Sequence, residues 1–333
     1  MGRIILCVIG CLGLLQNAQA QARPRSPLGN SNQDFGGIRT FLRAPYIKDL
    51  STLDADIAIV GMPFDQGTSY RPGQRYGPRD IREASLAYAF GPQNGFYYID
   101  TGETLLKGKR WADLGDVDVI YTDIPTTSQN LTTVVRGILN RGAFPVVLGG
   151  DHSLTFPAVR AFDTRPLTVI DFDAHLDSYG DGNPNYLDHG AWLQQVGKLP
   201  GIKFVQVGMR GIVNDARGVA HAKALGSTII TAERIHREGV RAIIDALPAL
   251  GNIYISIDID VLDPSLAPGN GASEVGGLTF QQLDEFLTQL PKKGRIVGLD
   301  VSEVNPFFDP AGVTALTAAR LVIDVVGAAF RDR

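Results

Sequence analysis

The feature of this sequence that most constrains its fold is the alternation of short apolar runs with amphipathic segments. The runs are nearly continuously apolar and rich in β-branched residues, as strands covered on both faces are. They lie at residues 55–64, 144–152, 167–175, 203–210, 227–231, 252–261 and 295–306. Segments with helical spacing of apolar residues lie at 126–142, 233–250, 279–294 and 312–330. This alternation predicts a three-layer α/β/α domain with a central, mainly parallel sheet.

The N-terminal residues are predicted to be a signal peptide outside this domain. Arg3 gives a positive start, residues 4–15 are apolar, and Ala18-Gln19-Ala20 forms an A-x-A cleavage pattern. We therefore expect residues 1–20 to direct export to the periplasm or the exterior. Residues 21–45 are expected to be an extended lead-in, and residues 46–333 a single domain. The alternatives are a mis-assigned start codon and a buried N-terminal strand.

Charge and cysteine content exclude several classes of function. The net charge is −4, and the chain has no basic run of the kind that binds nucleic acid or an anionic membrane. Both cysteines, Cys7 and Cys11, lie in the predicted signal peptide. The mature chain would therefore have no disulfide, catalytic thiolate or thiolate-rich metal site. We expect a small-molecule substrate, and neither nucleic acid nor a membrane as partner after signal cleavage.

Charged residues cluster where four of the apolar runs end. The clusters are GGDHS at 149–153, DAHLD at 173–177, DIDVLDP at 258–264 and SEVNP at 302–306. An unpaired carboxylate is costly to bury, so these acids need partners. Because the carboxyl ends of parallel strands meet at the edge of the sheet where ligands bind, all four clusters are predicted to lie on one rim.

The spacing within these clusters predicts a metal site. Residues two apart on a strand share a face, so the alternating acids and histidine of DAHLD are expected to project together, and Asp258 and Asp260 to do the same on another strand. Each motif alone also fits a turn or a cap, but carboxylates and imidazoles converging on one rim would repel one another without cations. Such ligands suit Mn²⁺, with Ni²⁺ or Zn²⁺ as alternatives. The predicted ligands are His152, Asp173, His175, Asp177, Asp258 and Asp260.

These motifs resemble those of the ureohydrolase family of arginases and agmatinases. The matching stretches are GGDHS (149–153), FDAHLDSY (172–179), SIDIDVLDPSLAPG (256–269) and GLDVSEVNP (298–306). GTSYRPGQRYGPRDIR (67–82) and GGLT (276–279) resemble the agmatinase branch. The first of these stretches is expected to form a rim loop and then a helix start at Pro78. The resemblance covers about residues 40 to 330 and implies an arginase-like fold, commonly assembled as a trimer or hexamer.

The resemblance also implies a ligand set and a reaction. One Mn²⁺ would be held by His152, Asp173, Asp177 and Asp258, and the other by His175, Asp173, Asp258 and Asp260. Two such ions lower the pKa of water, so that a guanidino compound can be hydrolysed to urea and an amine. The implied catalytic residues are the ligand Asp177, which would also hold a proton of the attacking water, His189, which would protonate the leaving amine, and Glu303, which would hold the guanidinium.

The prediction of the substrate depends on Tyr179 and on residues 191–195. Tyr179 occupies a position where arginases carry an Asn that anchors free arginine, so agmatine, cleaved to putrescine, is the expected substrate. The AWLQQ stretch (191–195) departs from the agmatinase pattern, which leaves 4-guanidinobutyrate, guanidinopropionate and arginine as alternatives. Asp171 replaces the usual His or Trp and is interpreted as a hydrogen-bond partner of a ligand. A zinc-dependent amide deacetylase of the same superfold and an inactive guanidine-binding protein are the rival classes.

Overall fold

The computed structural model describes residues 36–179 and 187–331. The predicted signal peptide and most of the predicted lead-in lie outside the described residues. The compact unit that contains the fold begins at Ile38. Phe41 and Leu42, which belong to the segment predicted as a lead-in, are fully buried in the core. The fold therefore includes apolar residues that precede residue 46.

An eight-stranded sheet forms the centre of the molecule, and all of its neighbouring strands pair in parallel. Its strand order is β4-β1-β5-β10-β9-β6-β7-β8, and β2 and β3 form a separate antiparallel pair. The strands are β1 (Ile57–Met62), β2 (Phe96–Tyr98), β3 (Glu103–Leu105), β4 (Trp111–Asp116), β5 (Phe144–Gly149), β6 (Leu167–Phe172), β7 (Ile202–Met209), β8 (Thr228–Thr231), β9 (Gly251–Asp258) and β10 (Gly294–Ser302). The predicted parallel sheet is confirmed.

Helices cover both faces of this sheet, which confirms the three-layer prediction. One face packs on α1, α7, α8, α9 and α10, and the other on α3 to α6. The helices are α1 (Gly77–Ser85), α2 (Gly91–Asn94), α3 (Ile124–Asn140), α4 (Thr155–Arg160), α5 (Trp192–Val196), α6 (Ala216–Ala224), α7 (Ala232–Glu238), α8 (Val240–Ala246), α9 (Phe280–Gln289) and α10 (Val313–Phe330). By length and composition α10 could cross a membrane, but 72% of it is buried here, as in a core helix.

Three sequence predictions differ from the structure. The segment 233–250, predicted as one helix, divides at Gly239, whose φ of 80° and ψ of 152° interrupt the helical path. The sheet also contains an edge strand, β4, that was not predicted. Finally, the strands end earlier than their apolar runs suggested: β6 ends at Phe172 and β9 at Asp258, so most of the polar rim residues lie in the turns that follow.

Candidate metal centre and substrate cavity

Four adjacent strands at the centre of the sheet, in the order β5-β10-β9-β6, deliver the predicted metal ligands and Glu303 to one rim, whereas His189 lies in the 3-10 turn of residues 189–191 before α5. His152 begins a 3-10 turn after β5, and Glu303 directly follows β10. Asp258 is the last residue of β9, whereas Asp260 lies in the 3-10 turn of residues 259–261. The expectation that Asp258 and Asp260 share one strand face is therefore wrong, although the tight turn still brings both residues to the rim.

His152 is surrounded by the three carboxylates predicted to join it in one ligand set. Its Nδ1 atom lies 2.9 Å from Asp177 Oδ2, 3.1 Å from Asp173 Oδ2 and 3.4 Å from Asp258 Oδ2. Despite these short distances, Nδ1 makes no well-directed hydrogen bond to any described residue, and Asp173 Oδ2 also lacks a partner. The atoms that would coordinate an ion therefore face one another with their lone pairs free.

His175 forms the second group, with Asp173 shared between the two. The Nδ1 atom of His175 lies 3.1 Å from Asp260 Oδ2 and 3.5 Å from Asp173 Oδ1. Asp173 turns Oδ2 toward His152 and Oδ1 toward His175, so it would contribute one oxygen to each group. Asp258 is tied to the second group through Oδ1, which accepts the backbone N–H of Asp260 at 2.9 Å.

The electrostatics of this cluster also fit cations. Burial and the neighbouring charge of Asp173 raise the pKa of Asp177 to about 6. Burial and the charges of Asp260 and Asp173 likewise raise the pKa of Asp258. Burial lowers the pKa of His175, but Asp260 and Asp173 outweigh it and raise that pKa. Divalent ions that bind among such carboxylates reduce the repulsion between them and favour their ionised form.

Behind the cluster, His152 is oriented by a buried polar network. Its Nε2 atom lies 2.9 Å from Ser256 Oγ, which donates to Asp300 Oδ1 at 2.7 Å. Such partners fix the ring orientation of a ligating histidine. Ser256 was not predicted, although it lies two residues before Asp258 on β9, and the period of two would have identified it.

Asp171 is buried beneath the same histidine but does not bond to it. Its Oδ1 atom is 3.8 Å from His152 Nε2 and has no hydrogen-bond partner in the described part of the chain. Its Oδ2 atom accepts from Gln206 Nε2 at 3.1 Å. The direct partner of His152 at this position is thus Ser256 rather than Asp171.

The AWLQQ stretch contributes to the centre through Trp192. The indole Nε1 of Trp192 donates to Asp177 Oδ2 at 2.9 Å, and its ring centroid lies 5.0 Å from that of His152. This residue is fully buried at the start of α5. The stretch that departs from the agmatinase pattern therefore supports one predicted metal ligand and packs against another.

Glu303 and His189, the predicted catalytic pair, are in contact. Glu303 is buried and has a φ of 65°, an uncommon backbone conformation for a residue with a side chain and one often found at functional sites. Its Oε1 atom accepts from the backbone N–H of His152 at 2.9 Å and lies 3.2 Å from His189 Nδ1. Burial lowers the pKa of His189, but Glu303 outweighs it and raises that pKa to about 10.

The rim loop predicted at 67–76 reaches this pair. Ser69 Oγ lies 2.9 Å from His189 Nε2, and the backbone N–H of Ser69 points to the same nitrogen at 3.2 Å. Gln74 donates from Nε2 to Glu303 Oε2 at 2.8 Å. The expected helix start at Pro78 is confirmed, because α1 begins at Gly77 with the proline in its first turn.

A cavity of about 340 Å³ opens over these groups. Its walls are formed by Ser69, His175, Asp177, Tyr179, Asp188, His189, Gly190, Val213, Asp258, Asp260, Ala272 and Glu303.

A parallel α/β sheet that carries two histidine–aspartate groups beside a buried carboxylate is an arrangement typical of metal-dependent hydrolases. Comparison with known proteins agrees with this class. The model of the Arginase family matches residues 55–327. The protein belongs to the Arginase family, and the predicted reaction class, hydrolysis of a guanidino compound, is confirmed.

Individual relatives cover nearly the whole domain. The guanidinopropionase of Pseudomonas aeruginosa is 34% identical, over 88% of this chain and 92% of its own. The agmatinase of Chromobacterium violaceum is 32% identical, over 88% of each chain. The structure of proclavaminate amidino hydrolase from Streptomyces clavuligerus superposes with a TM-score of 0.80 at 29% identity, covering 90% of this chain and 100% of that one. The family is binuclear in its metal content, which agrees with the two histidine–aspartate groups on the rim.

Proposed function

We propose that this protein hydrolyses agmatine to urea and putrescine with two Mn²⁺ ions bound at the rim. In this reaction water adds to the guanidinium carbon, the bond from that carbon to the alkyl nitrogen breaks, and the alkyl nitrogen leaves as a protonated amine. The reaction class follows from family membership. The substrate and the metal are the proposed parts.

The observation that carries the choice of agmatine is the charge of the cavity wall. Among the described residues that line it, none is a lysine or arginine, while Asp188 lies near the Tyr179 side. A cationic amine at the far end of the substrate is compatible with this wall, whereas a carboxylate finds no lysine or arginine there. A guanidino acid is the second candidate, because a guanidinopropionase is among the similar proteins.

The proposed metal is supported by the donor atoms of the rim cluster. Carboxylate oxygens and imidazole nitrogens suit Mn²⁺, and the unpartnered His152 Nδ1 and Asp173 Oδ2 atoms are free to coordinate it. When bound, two divalent ions lower the pKa of water, so that hydroxide is available near neutral pH. The predicted ligand sets around His152 and His175 are our assignment for the two ions.

The remaining steps are assigned to the protein's own side chains. Glu303 would hold the guanidinium by charge-assisted hydrogen bonds. Asp177 would orient the attacking water by accepting one of its protons. His189, which lies between Glu303 and Ser69 in the cavity wall, would hold a proton and pass it to the leaving alkyl nitrogen.

A panel of guanidines tests this proposal. Urea release is measured with agmatine, 4-guanidinobutyrate, guanidinopropionate and arginine, on protein loaded separately with Mn²⁺, Ni²⁺ and Zn²⁺. We expect the highest kcat/KM with agmatine and Mn²⁺. A higher value with either guanidino acid would overturn the choice of agmatine, and urea release from none of them would overturn the enzymatic assignment of this chain.

The variant Asp188→Asn sharpens the same test. Asp188 also caps the turn of residues 189–191 by accepting the backbone N–H of Gly190 at 2.9 Å, and asparagine can make the same cap. If the carboxylate attracts the amine of agmatine, the variant should raise KM for agmatine and leave KM for 4-guanidinobutyrate unchanged or lower. An equal change for both substrates would remove Asp188 from substrate selection.

We further propose that the protein is exported and assembles as a trimer or hexamer. Export is supported by the positive start, apolar run and A-x-A pattern of residues 1–20. Cell fractionation with N-terminal sequencing of the mature chain tests it, and an uncleaved cytoplasmic protein would contradict it. Light scattering of the purified protein measures the assembly.

A further inference from the structure

We propose that Gln74 is a positioning residue that fixes the Glu303 carboxylate for guanidinium binding. This inference rests on the proposed role of Glu303 in holding the guanidinium. It concerns a residue of the rim loop that the metal chemistry does not involve.

The two oxygens of Glu303 are held by different parts of the protein. Oε1 receives the backbone N–H of His152 and the contact with His189. For Oε2, the donor present in the described chain is Gln74 Nε2, at 2.8 Å. A carboxylate oxygen accepts two hydrogen bonds, so Oε2 keeps one position for an N–H of the guanidinium. Gln74 thereby determines the direction in which that position faces.

The orientation of the Gln74 amide is determined by its surroundings. Its nitrogen lies 2.8 Å from Glu303 Oε2 and 3.0 Å from the carbonyl oxygen of Arg71. Both of these are acceptors, so the atom between them must be the donating nitrogen. The side chain is fully buried, and a Cβ at Gly271 would lie 2.2 Å from this nitrogen. Gly271 thus leaves the space in which the amide lies.

The backbone around Gln74 is also tied to the strand that carries Glu303. Asn305 Nδ2 donates to the carbonyl oxygens of Arg71 and Pro72, both at 3.2 Å. On the other side of the loop, Asp65 accepts the backbone N–H of Gly73 at 2.8 Å. The loop and the end of β10 therefore form one unit, in which a glutamine side chain can hold a carboxylate with little freedom.

An unsatisfied atom indicates that Gln74 serves more than packing. Its Oε1 atom is buried and has no hydrogen-bond partner among the residues described. A buried acceptor without a donor lowers stability, so an apolar side chain of similar size would be the better choice for packing alone. The amide nitrogen is what an apolar side chain could not supply, and its partner is Glu303.

The test compares Gln74→Met and Gln74→Glu with the wild-type protein and with a control from the same loop, Thr68→Val. Methionine keeps the length and removes the donor, whereas glutamate also places a like charge beside Oε2. The Thr68 hydroxyl is buried without a hydrogen-bond partner in the described chain, so its removal should change neither kcat nor KM. Three readouts are taken on the metal-loaded full chain: kcat and KM for the best guanidine of the panel, bound metal per chain, and calorimetric affinity for guanidinium ion.

We expect Gln74→Met to raise KM and the guanidinium Kd about tenfold, which corresponds to ~1.4 kcal/mol. Its kcat should stay within about threefold and its metal content should stay at the wild-type value. Gln74→Glu should raise both constants further. Unchanged KM and Kd in both variants would overturn the proposal, as would a loss of metal or of kcat at constant KM. If the methionine variant does not fold, KM and the guanidinium Kd of the isosteric glutamate variant alone test the proposal.

The guanidinium titration separates this inference from the proposed function. If the wild-type protein binds guanidinium but does not cleave agmatine, the choice of substrate fails while the affinities of the variants still judge Gln74. If the wild-type protein does not bind guanidinium at all, the role of Glu303 and with it that of Gln74 is refuted.

Discussion

Two groups of acidic residues in this molecule differ in how their negative charge is neutralised. The rim cluster consists of the six predicted metal ligands at the carboxyl ends of the strands. The helix cluster consists of Tyr98, Asp284, Arg320 and Asp324, where α9 and α10 meet β2. The rim acids and Asp324 are buried and Asp284 is partly buried, so each cluster must compensate its carboxylates or lose stability.

The helix cluster compensates its acids with its own side chains. Arg320 Nε donates to Asp324 Oδ1 and Oδ2 at 2.9 and 2.8 Å, and Tyr98 donates to Oδ1 at 2.7 Å. Burial and the neighbouring Asp324 raise the pKa of Asp284 to about 7. One guanidinium and one retained proton therefore neutralise two carboxylates.

The rim cluster contains no arginine or lysine. Its four aspartates face two imidazoles, and atoms of His152 and Asp173 have no hydrogen-bond partner in the described residues. The difference teaches that burial of acids alone does not identify a metal site. What identifies it is the convergence of four aspartates and two imidazoles on one rim with no arginine or lysine among them, because a buried oxygen without a hydrogen-bond partner in the described residues also occurs in the helix cluster, at Asp284 Oδ1.

Removal of the ions should have the largest effect and should separate the two clusters. We expect chelation to abolish urea release and to lower the melting temperature, because an ion at 100 times its Kd contributes ~2.7 kcal/mol to stability. Addition of Mn²⁺ should restore both. Calorimetry and a urea assay measure these effects. Full activity after complete metal removal would contradict the claim that the rim cluster needs bound ions.

The substitution His152→Ala should have the next largest effect. It removes the nitrogen that three carboxylates of the rim cluster surround, so the bound metal should fall toward one ion per chain and most of the activity should disappear. Elemental analysis gives the metal content. His236→Ala, at an exposed position on α7, is the matched control. Unchanged metal content in the His152 variant would refute its assignment as a ligand.

The substitution His189→Ala should affect turnover without affecting the ions. His189 contacts Glu303 and Ser69 but is not among the predicted ligands, so the metal content should stay unchanged. Loss of a general acid lowers the rate by about 10²-fold or more. Single-turnover urea release measures the step, and a wild-type rate would remove this residue from the mechanism.

The sequence predicts the centre of the fold better than its edges. β5, β6, β9 and β10 are buried on both faces, so their apolar runs are continuous and easily recognised. The edge strand β4 has the sequence WADLGD, in which two aspartates interrupt the apolar run that would predict a strand. Asp113 within it is buried and pairs with Arg82 of α1 at 2.8 Å, a contact that no local pattern indicates.

The same distinction applies to the site. The six rim residues were predicted because they lie in short motifs that follow the apolar runs. Trp192 and Gln74 were missed because their roles depend on partners distant in the chain; Gln74 and Glu303 are separated by 229 positions. Only the packing of the rim loop against the end of β10 brings them together.

The smallest expected effect concerns the helix cluster, through Asp284→Asn. The pKa of this acid is about 3.8 in the unfolded chain and about 7 in the folded one, so the folded state binds more protons between these values. Its contribution to stability is therefore present below pH 4 and is lost as the pH rises to 7. Asparagine cannot ionise, so the variant should melt about 2 °C higher than the wild type at pH 8. At pH 5 this gain should vanish.

Asp245→Asn, at an exposed position on α8, should show no such dependence on pH. The gain at pH 8 should also be the same in metal-loaded and chelated protein, because the helix cluster compensates its charge without ions. A variant less stable at pH 8 than the wild type would mean that the charge of Asp284 is needed in the fold. The contrast with the rim would then be one of degree rather than of kind.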